Sequence, residues 1–329
     1  MAKITTLIPA YKKEYLHDVF TGLCRQSFKD FKVILSDDSP GQVISQMIVN
    51  RHWGSLTDQI DLTVIKGPGS ERRNHEFLLD VWAGRSDFVH FHLDDDLILP
   101  EFYQSHMRAH QVKQSGVSVS QRWLSRDDGV PVLTSWIPKM IQDSEYHFIE
   151  VDRKALYDTA ILNCQNWFGE LNNMVLTADA AKSFPYSPVS DINYYGLLDL
   201  GAVLEASISS PITFIREYLS VFRHNSQQTT LQKNLPSSNC LAYLSWISYA
   251  LVGWRDSVFD AESTIKSIKQ MSYQMSRELK GVTVADSYFR ILSEHSSSLS
   301  DFYNAYTKFW LELLSSRPDT APLKNTQFK

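Results

Sequence analysis

Four apolar runs rich in β-branched residues punctuate the first hundred positions: "KITTLIP" (3–9), "FKVILS" (31–36), "IDLTVIKG" (60–67) and "FVHFHL" (88–93). Each reads as a buried strand. Between the first two, Tyr15, Leu16, Val19, Phe20, Leu23 and Cys24 recur at helical spacing. Between the last two, Phe77, Leu78, Val81 and Trp82 do the same, and Gly84 follows as a C-cap. The stretch between the second and third runs carries no clear period. Parallel neighbours need a crossover and a helix supplies it, so this alternation predicts an α/β fold whose sheet is mostly parallel and flanked by helices. Residues 117–225 mix strand-like pieces ("VSVSQRWL", "PITFI") with loops rich in Pro, Asn and Asp, and continue the same domain. Beyond them "NCLAYLSWISYALVGW", "AESTIKSIKQMSYQMSREL" and "DFYNAYTKFWLELL" are helical in period, with Ile265, Ile268, Met271, Met275 and Leu279 marking one face. The predicted organisation is a domain over 1–228 and a helical appendage over 229–329, with "HNSQQTTLQKNLPSSN" as linker and a frayed tail.

Composition narrows the function classes. With 43% hydrophobic and 21% charged residues among 329, the chain has a globular makeup. A formal net charge of −5 gives no electrostatic reason to expect nucleic acid. Cys24, Cys164 and Cys240 lie far apart with no CxxC pair, so neither a zinc site nor a disulfide framework is indicated and a reducing cytosol fits. "MAKITTLIPAYKK" has too short an apolar run for a signal peptide, and no long uncharged apolar stretch occurs, so a cytoplasmic chain is expected.

The chemistry-bearing residues follow the strands. Ligands of open α/β sheets bind beyond the carboxyl ends of the strands, where this chain places "PAYKK", "SDDSPG", "KGPGSERRN" and "DDDL". Asp94, Asp95 and Asp96 are like charges side by side, and in a partly desolvated cleft they call for a cation; hard oxygen ligands suit Mg²⁺ or Mn²⁺. The plainer reading is an acidic turn opening the helix "PEFYQSHMRAH". Asp37 and Asp38 can accept from a planar base or form an Asx turn. Tyr11 can stack on a base or simply pack. Arg72 and Arg73 open a helix, where a cation is unfavourable and an anionic partner welcome. "GPGS" lacks the GK[ST] of a Walker loop and no GxGxxG occurs, which leaves ATPase and dehydrogenase readings without support.

"TTLIPAYKKEYLHDVFTGLCRQSFKDFKVILSDDSPG", then "RRN" and "HLDDDLILPEF", resembles the GT-A fold glycosyltransferases, specifically the inverting family 2 group. The resemblance is strongest over the first 115 residues and extends to about 228. It implies that Pro9, Ala10 and Tyr11 line a nucleoside pocket, that Asp38 contacts the base and that Arg73 lies near the base or diphosphate. It further implies that Asp94 and Asp96 form the DxD pair, with Asp96 most directly on the metal and Asp94 and Asp95 on the nucleotide side. "LLDLGAVLEASISSPITFIREYLSVFRHNS" reproduces the order of the family's base region, with Asp199 as base, Arg223 following and His224 as a third metal ligand. Two departures accompany it: Leu198 stands where the family has another acid, and His224 comes one position early. Asp191 in "PVSDINYY" is the second candidate base. In "NCQNWFGELNNMVLT", Trp167 and Phe168 would face a sugar ring while Glu170 binds its hydroxyls or serves as base; ordinary core packing is the alternative for the aromatic pair.

The expected function is metal-dependent, inverting transfer of a sugar from a nucleotide diphosphate donor, UDP foremost, to a hydroxyl of a glycan or lipid-linked acceptor in surface polysaccharide synthesis. A non-catalytic GT-A-like binding or scaffold module is the rival from another class. A sugar nucleotidyltransferase would want a Gly-rich loop where "PAYKKEY" stands. The aromatic faces of the C-terminal helices would pack on the catalytic domain or a second subunit, or rest on the inner face of the cell membrane; no dense Lys/Arg face favours the last.

Overall fold

The first β-branched runs become neighbouring parallel strands. In the computed structural model, which describes residues 2–183, 197–224 and 236–316, β1 (Ile4–Ala10) pairs with β2 (Phe31–Asp37) from Ile4↔Phe31 to Ala10↔Asp37 and with β4 (Phe88–Phe91) from Ile4↔Phe88 to Leu7↔Phe91. β3 (Leu62–Lys66) extends β2. As an edge strand it is only half-buried, unlike the buried strand the β-branched run suggests, because it has a neighbour on one side alone. Beyond β4 comes β9 (Met174–Thr177), antiparallel to both β4 and β6 (Val117–Ser125). β10 (Ile212–Arg223) runs parallel to β6 and ends beside the two-residue β5 (Leu97–Ile98), with Val221↔Leu97 antiparallel. The sheet order is β3-β2-β1-β4-β9-β6-β10-β5, with β7 (Pro131–Thr134) paired to β6 and β8 (Phe148–Val151) to β10.

The crossover helices bury the faces their period marks. Helix Leu16–Cys24 buries Leu16, Val19, Phe20 and Leu23, and it runs so close to β5 that a Cβ at Gly22 would meet the Ile98 carbonyl at 2.9 Å. In helix Glu71–Trp82 the buried stripe is Asn74, His75, Leu78 and Trp82, while Phe77 and Val81 are half-buried. The stripe is rotated towards polar residues because Asn74 donates to the Ser36 carbonyl (3.3 Å) and His75 packs on Phe91. The turn is closed by Ala83 and Gly84, both at positive φ (47° and 75°). The patternless stretch after β2 holds short helices, Val43–Val49 and Gly54–Thr57, which bury only Ile44 and Gly54. The two histidines of "FVHFHL" are polar core. His90 bonds Tyr103 and the Asn172 carbonyl, both at 3.0 Å, and burial pushes its pKa well down and that of His92 to about 4.

The described residues form two compact units: 2–152, 167–183 and 202–224 carry the sheet, and 153–166, 197–201 and 236–316 make a second, helical unit. Four long helices build the latter: Pro236–Arg255, Ala261–Glu278, Thr283–Glu294 and Leu299–Ser315. Thr283–Glu294 escapes the periodicity reading because it buries only Ala285 and Tyr288. The "DFYNAYTKFWLELL" face is packed inside this unit: Phe302, Tyr306, Trp310 and Leu314 are buried, and the Tyr306 hydroxyl donates to the Leu244 carbonyl at 2.6 Å. Ile265, read as part of the apolar face, is 40% exposed; the packed stripe runs through Thr264, Ile268, Met271 and Met275. Most of the proposed linker (225–235) lies outside the described residues, and its end, from Pro236, opens a helix. No helix among the described residues is long and apolar enough to cross a membrane.

Phe20 is fully buried and packs edge-on against Trp53 at 5.5 Å. Phe20→Ala is expected to lower the unfolding free energy by about 3–5 kcal/mol, read from urea-denaturation midpoints; a change below about 1 kcal/mol would contradict this placement of the core.

Candidate functional site

Since β1 and β4 are parallel neighbours, the loops leaving their carboxyl ends lie side by side. Asp94, Asp95 and Asp96 are 6%, 7% and 1% exposed, so three adjacent carboxylates are nearly removed from water. The β1 loop meets them with its backbone. One Asp94 oxygen, Oδ2, accepts the N–H groups of Tyr11 and Lys12, both at 2.6 Å, and Lys12 Nζ pairs with Asp95 Oδ2 at 2.5 Å. Asp96 Oδ1 accepts the Arg223 N–H at 2.9 Å, while its Oδ2 is buried with no hydrogen-bond partner among the described residues. Burial, then the Asp95 charge, raises the Asp94 pKa to about 6 against the two backbone donors. The same causes drive that of Asp96 well above the carboxylate range. Burial also disfavours the Lys12 ammonium, but Asp95 and its neighbours outweigh it and hold the Lys12 pKa above its ordinary value.

Arg223 ties the site together. Its side chain is 2% exposed, and Nε donates to the Asp95 carbonyl (2.8 Å), Nη1 to the Asp127 carbonyl (2.5 Å) and Nη2 to Asp18 Oδ2 (2.6 Å). The guanidinium sits over the Tyr15 ring at 4.6 Å, and the Tyr15 hydroxyl in turn donates to Asp127 Oδ1 at 2.6 Å. One cation thus joins the first crossover helix, the aspartate loop and the turn between β6 and β7. The β5–β10 pairing puts it there, since it sets the end of β10 against the residues just before Leu97.

Other sequence-selected residues are placed as follows. Asp38 bridges to the loop after β3, accepting from Gly69 N (2.7 Å) and Ser70 N (3.1 Å). Asp37 is an Asx-type turn residue, its oxygens taken by the N–H and hydroxyl groups of Ser39 and Ser45 at 2.5–2.9 Å. Pro9 is half-buried and Ala10 fully buried in β1, whereas Tyr11 is 60% exposed. Arg73 is half-buried on the first turn of helix Glu71–Trp82; the Arg72 side chain lies outside the described ones. His224 is exposed, its ring edge-on to Phe222 at 5.2 Å. Asp199 belongs to the second unit, where Asn166 Nδ2 donates to its Oδ2 at 2.7 Å, and Asp191 lies outside the described residues.

Trp167 and Phe168 are 2% and 1% exposed and pack edge-on against each other, with Trp167 also edge-on to Phe214. Neither offers the open ring face that stacking on a sugar needs. Burial beside a third aromatic explains this: the pair is core. Next to them stands a group the sequence reading did not single out, Arg122 on β6, its side chain 10% exposed and its Nη2 3.6 Å from Glu170 Oε1. Gly169, at φ +110°, lets the backbone approach this guanidinium; a Cβ there would fall 1.6 Å from Nη1. Arg122 sits in a strand-like run with no local signal of its own. Lys12 could have been found, because "PAYKK" sits directly after β1.

Among the described residues no three His, Cys, Asp or Glu side chains converge as a metal-binding group, so His224 does not join Asp94 and Asp96. The donor set still fits a hard divalent cation. Asp96 presents a buried, unpartnered carboxylate oxygen, and such ions keep several waters and take substrate phosphate oxygens alongside one or two carboxylates.

Two outcomes follow from the geometry. A carboxylate whose folded pKa is raised costs stability once it ionises: the folded state holds more protons than the unfolded state between the ordinary value and about 6, so stability falls as pH rises through that window. Without added metal, Asp94→Asn should therefore be stabilising at pH 7.5, on the order of 2 kcal/mol, and close to neutral near pH 4, as measured by thermal melts across pH. Arg223→Lys keeps the charge but cannot reach three acceptors; it should cost more than about 2 kcal/mol, whereas a Tm equal to the parent's would show that the clasp contributes nothing.

No protein-family model and no curated protein matches the chain in sequence. Solved structures do match in shape. A 1–349 piece of S. aureus TarS in complex with UDP-GlcNAc superposes with a TM-score of 0.52 at 14% identity, covering 96% of this chain and 92% of that one. The same piece without ligand named gives a TM-score of 0.51 at 13% identity over the same shares. The chain has the GT-A glycosyltransferase fold: an α/β sheet flanked by helices, followed by C-terminal helices.

Proposed function

We propose that the protein is a metal-dependent, inverting glycosyltransferase of the hexosyltransferase type that moves a sugar from a nucleotide diphosphate, UDP foremost, to a hydroxyl of a glycan or lipid-linked acceptor in surface polysaccharide synthesis. The observation that carries the reading is the unpartnered, buried Oδ2 of Asp96 beside two further carboxylates at the carboxyl end of β4, where α/β sheets bind ligands. The similarity to a TarS structure holding UDP-GlcNAc supports a nucleotide-sugar donor and favours UDP.

Asp96 and Asp94 would hold Mn²⁺ or Mg²⁺, which when bound neutralises charge on the departing diphosphate. The exposed Tyr11 ring and Asp38 stand at neighbouring strand ends to receive the base, with Pro9 and Ala10 forming the strand beneath and Arg73 near the phosphates. Lys12 keeps Asp95 compensated, which leaves Asp94 and Asp96 to hold the ion. Asp199, oriented by Asn166, takes the proton of the acceptor hydroxyl as general base, ahead of Asp191 and Glu170. The catalytic domain spans 1–228 and the helical region 229–329 serves packing or self-association; a cytoplasmic enzyme working at the inner membrane face accords with the surface-glycan role.

Release of nucleoside diphosphate from a panel of sugar nucleotides, with Mn²⁺ or Mg²⁺, tests the reading. Turnover should be lost on chelation and fall at least about 100-fold in Asp96→Ala and in Asp199→Asn. Full activity of Asp96→Ala would remove the metal site, and full activity of Asp199→Asn would move the base elsewhere.

A further inference from the structure

A small recess, only about 10 Å³ of it open to the centre of a water-sized group and the rest merging with solvent, lies on the β6 side of the sheet unit, lined by Ser120, Gln121, Arg122, Ser135 and Ile137 together with Trp167, Phe168 and Phe214. Its polar groups are unevenly spent. Gln121 Nε2 donates to the Arg216 carbonyl at 2.9 Å and the Ser120 hydroxyl to the Asn173 carbonyl at 3.4 Å. The Ser135 hydroxyl and the Nε and Nη1 of Arg122 are buried without a hydrogen-bond partner among the described residues. The third nitrogen, Nη2, is 3.6 Å from Glu170, too far for a hydrogen bond.

We propose that this recess seats an anionic substituent, a carboxylate or phosphoryl group, carried by the acceptor saccharide, with Arg122 as its recognition residue. The word acceptor rests on the glycosyltransferase reading; the anion site itself does not. A guanidinium stays charged and has only donors to give, so a buried one with three unspent N–H groups on two nitrogens is complemented by a ligand rich in acceptors and opposite in charge. A neutral sugar hydroxyl supplies acceptor lone pairs but no charge. Glu170 and Asp96 are the nearby negative groups; Glu170 Oε1 lies 3.6 Å from Nη2, Asp96 Oδ1 is held by the Arg223 N–H, and Asp96 Oδ2 makes no hydrogen bond to Arg122. Close packing of Gly169 on the guanidinium keeps it in place rather than letting it swing to solvent. The aromatic wall lowers the local dielectric on one side and strengthens charge-assisted bonds formed there. The enclosed space is small, so the charged group alone enters it and the rest of the saccharide lies outside.

Calorimetric titration of the full chain with glucuronate, glucose 6-phosphate and glucose at low salt decides the matter. At least one acid should bind about tenfold or more tighter than glucose, and which acid wins identifies carboxylate or phosphoryl as the natural group. Arg122→Gln should remove that preference and Arg122→Lys should retain part of it. With a donor that turns over, Arg122→Gln should raise KM for an acidic acceptor far more than for a neutral one. Equal binding of the three compounds by the wild type, or unchanged acid binding by a folded Arg122→Gln, overturns the proposal; if that variant melts early, the wild-type comparison alone decides. Absence of nucleoside diphosphate release from every donor would instead overturn the glycosyltransferase reading, with the titration still judging the recess.

Discussion

The burial of three consecutive carboxylates is the constraint on which the sheet unit is organised. Water solvates an aspartate well, and removing that solvation from Asp94, Asp95 and Asp96 together has to be offset by donors and cations brought from elsewhere in the chain. Backbone N–H groups of the β1 loop serve Asp94, Lys12 serves Asp95, and the backbone of Arg223 serves Asp96. One oxygen of Asp96 is left buried without a hydrogen-bond partner among the described residues, and it is a chemically open position. The triplet is thus only partly compensated by the protein, with Lys12 the cation on Asp95 and backbone N–H groups on Asp94 and Asp96.

This compensation draws on segments remote in sequence. Arg223 is 127 positions from Asp96, and only the antiparallel pairing of β5 with β10 brings it near. Its side chain then makes the site a single mechanical object, because the helix Leu16–Cys24, the aspartate loop and the turn at Asp127 share one guanidinium. Arg122, one strand along, shows the contrasting case of a buried cation with unspent donors. The difference between the two arginines, one saturated by protein and one not, separates a structural role from a recognition role.

The four leading strands, two of the three crossovers and most of the C-terminal helices were legible because their apolar residues recur with the period of the element they form. The legibility failed where burial is shallow or polar. Thr283–Glu294 buries two side chains and leaves little period to detect. The helix Glu71–Trp82 packs through Asn74 and His75, which a hydrophobicity pattern counts as surface. For Trp167 and Phe168 the sequence leaves a sugar platform and core packing both open, and only their burial and packing against Phe214 separates the two.

By itself, the sequence determined the alternation of strand and helix and the loops in which the polar residues gather, since periodicity and turn chemistry are local properties of the chain. It also determined that three carboxylates stand together, which covalent order guarantees. Tertiary structure decided which of them is satisfied and by what. The partners of Asp94, Asp95 and Asp96 arrive from β1 and β10, and hydrogen bonds between remote segments leave no mark on local pattern. Tertiary structure alone, likewise, made Arg122 more than a residue in a strand, because a donor counts as unspent only once its surroundings are known.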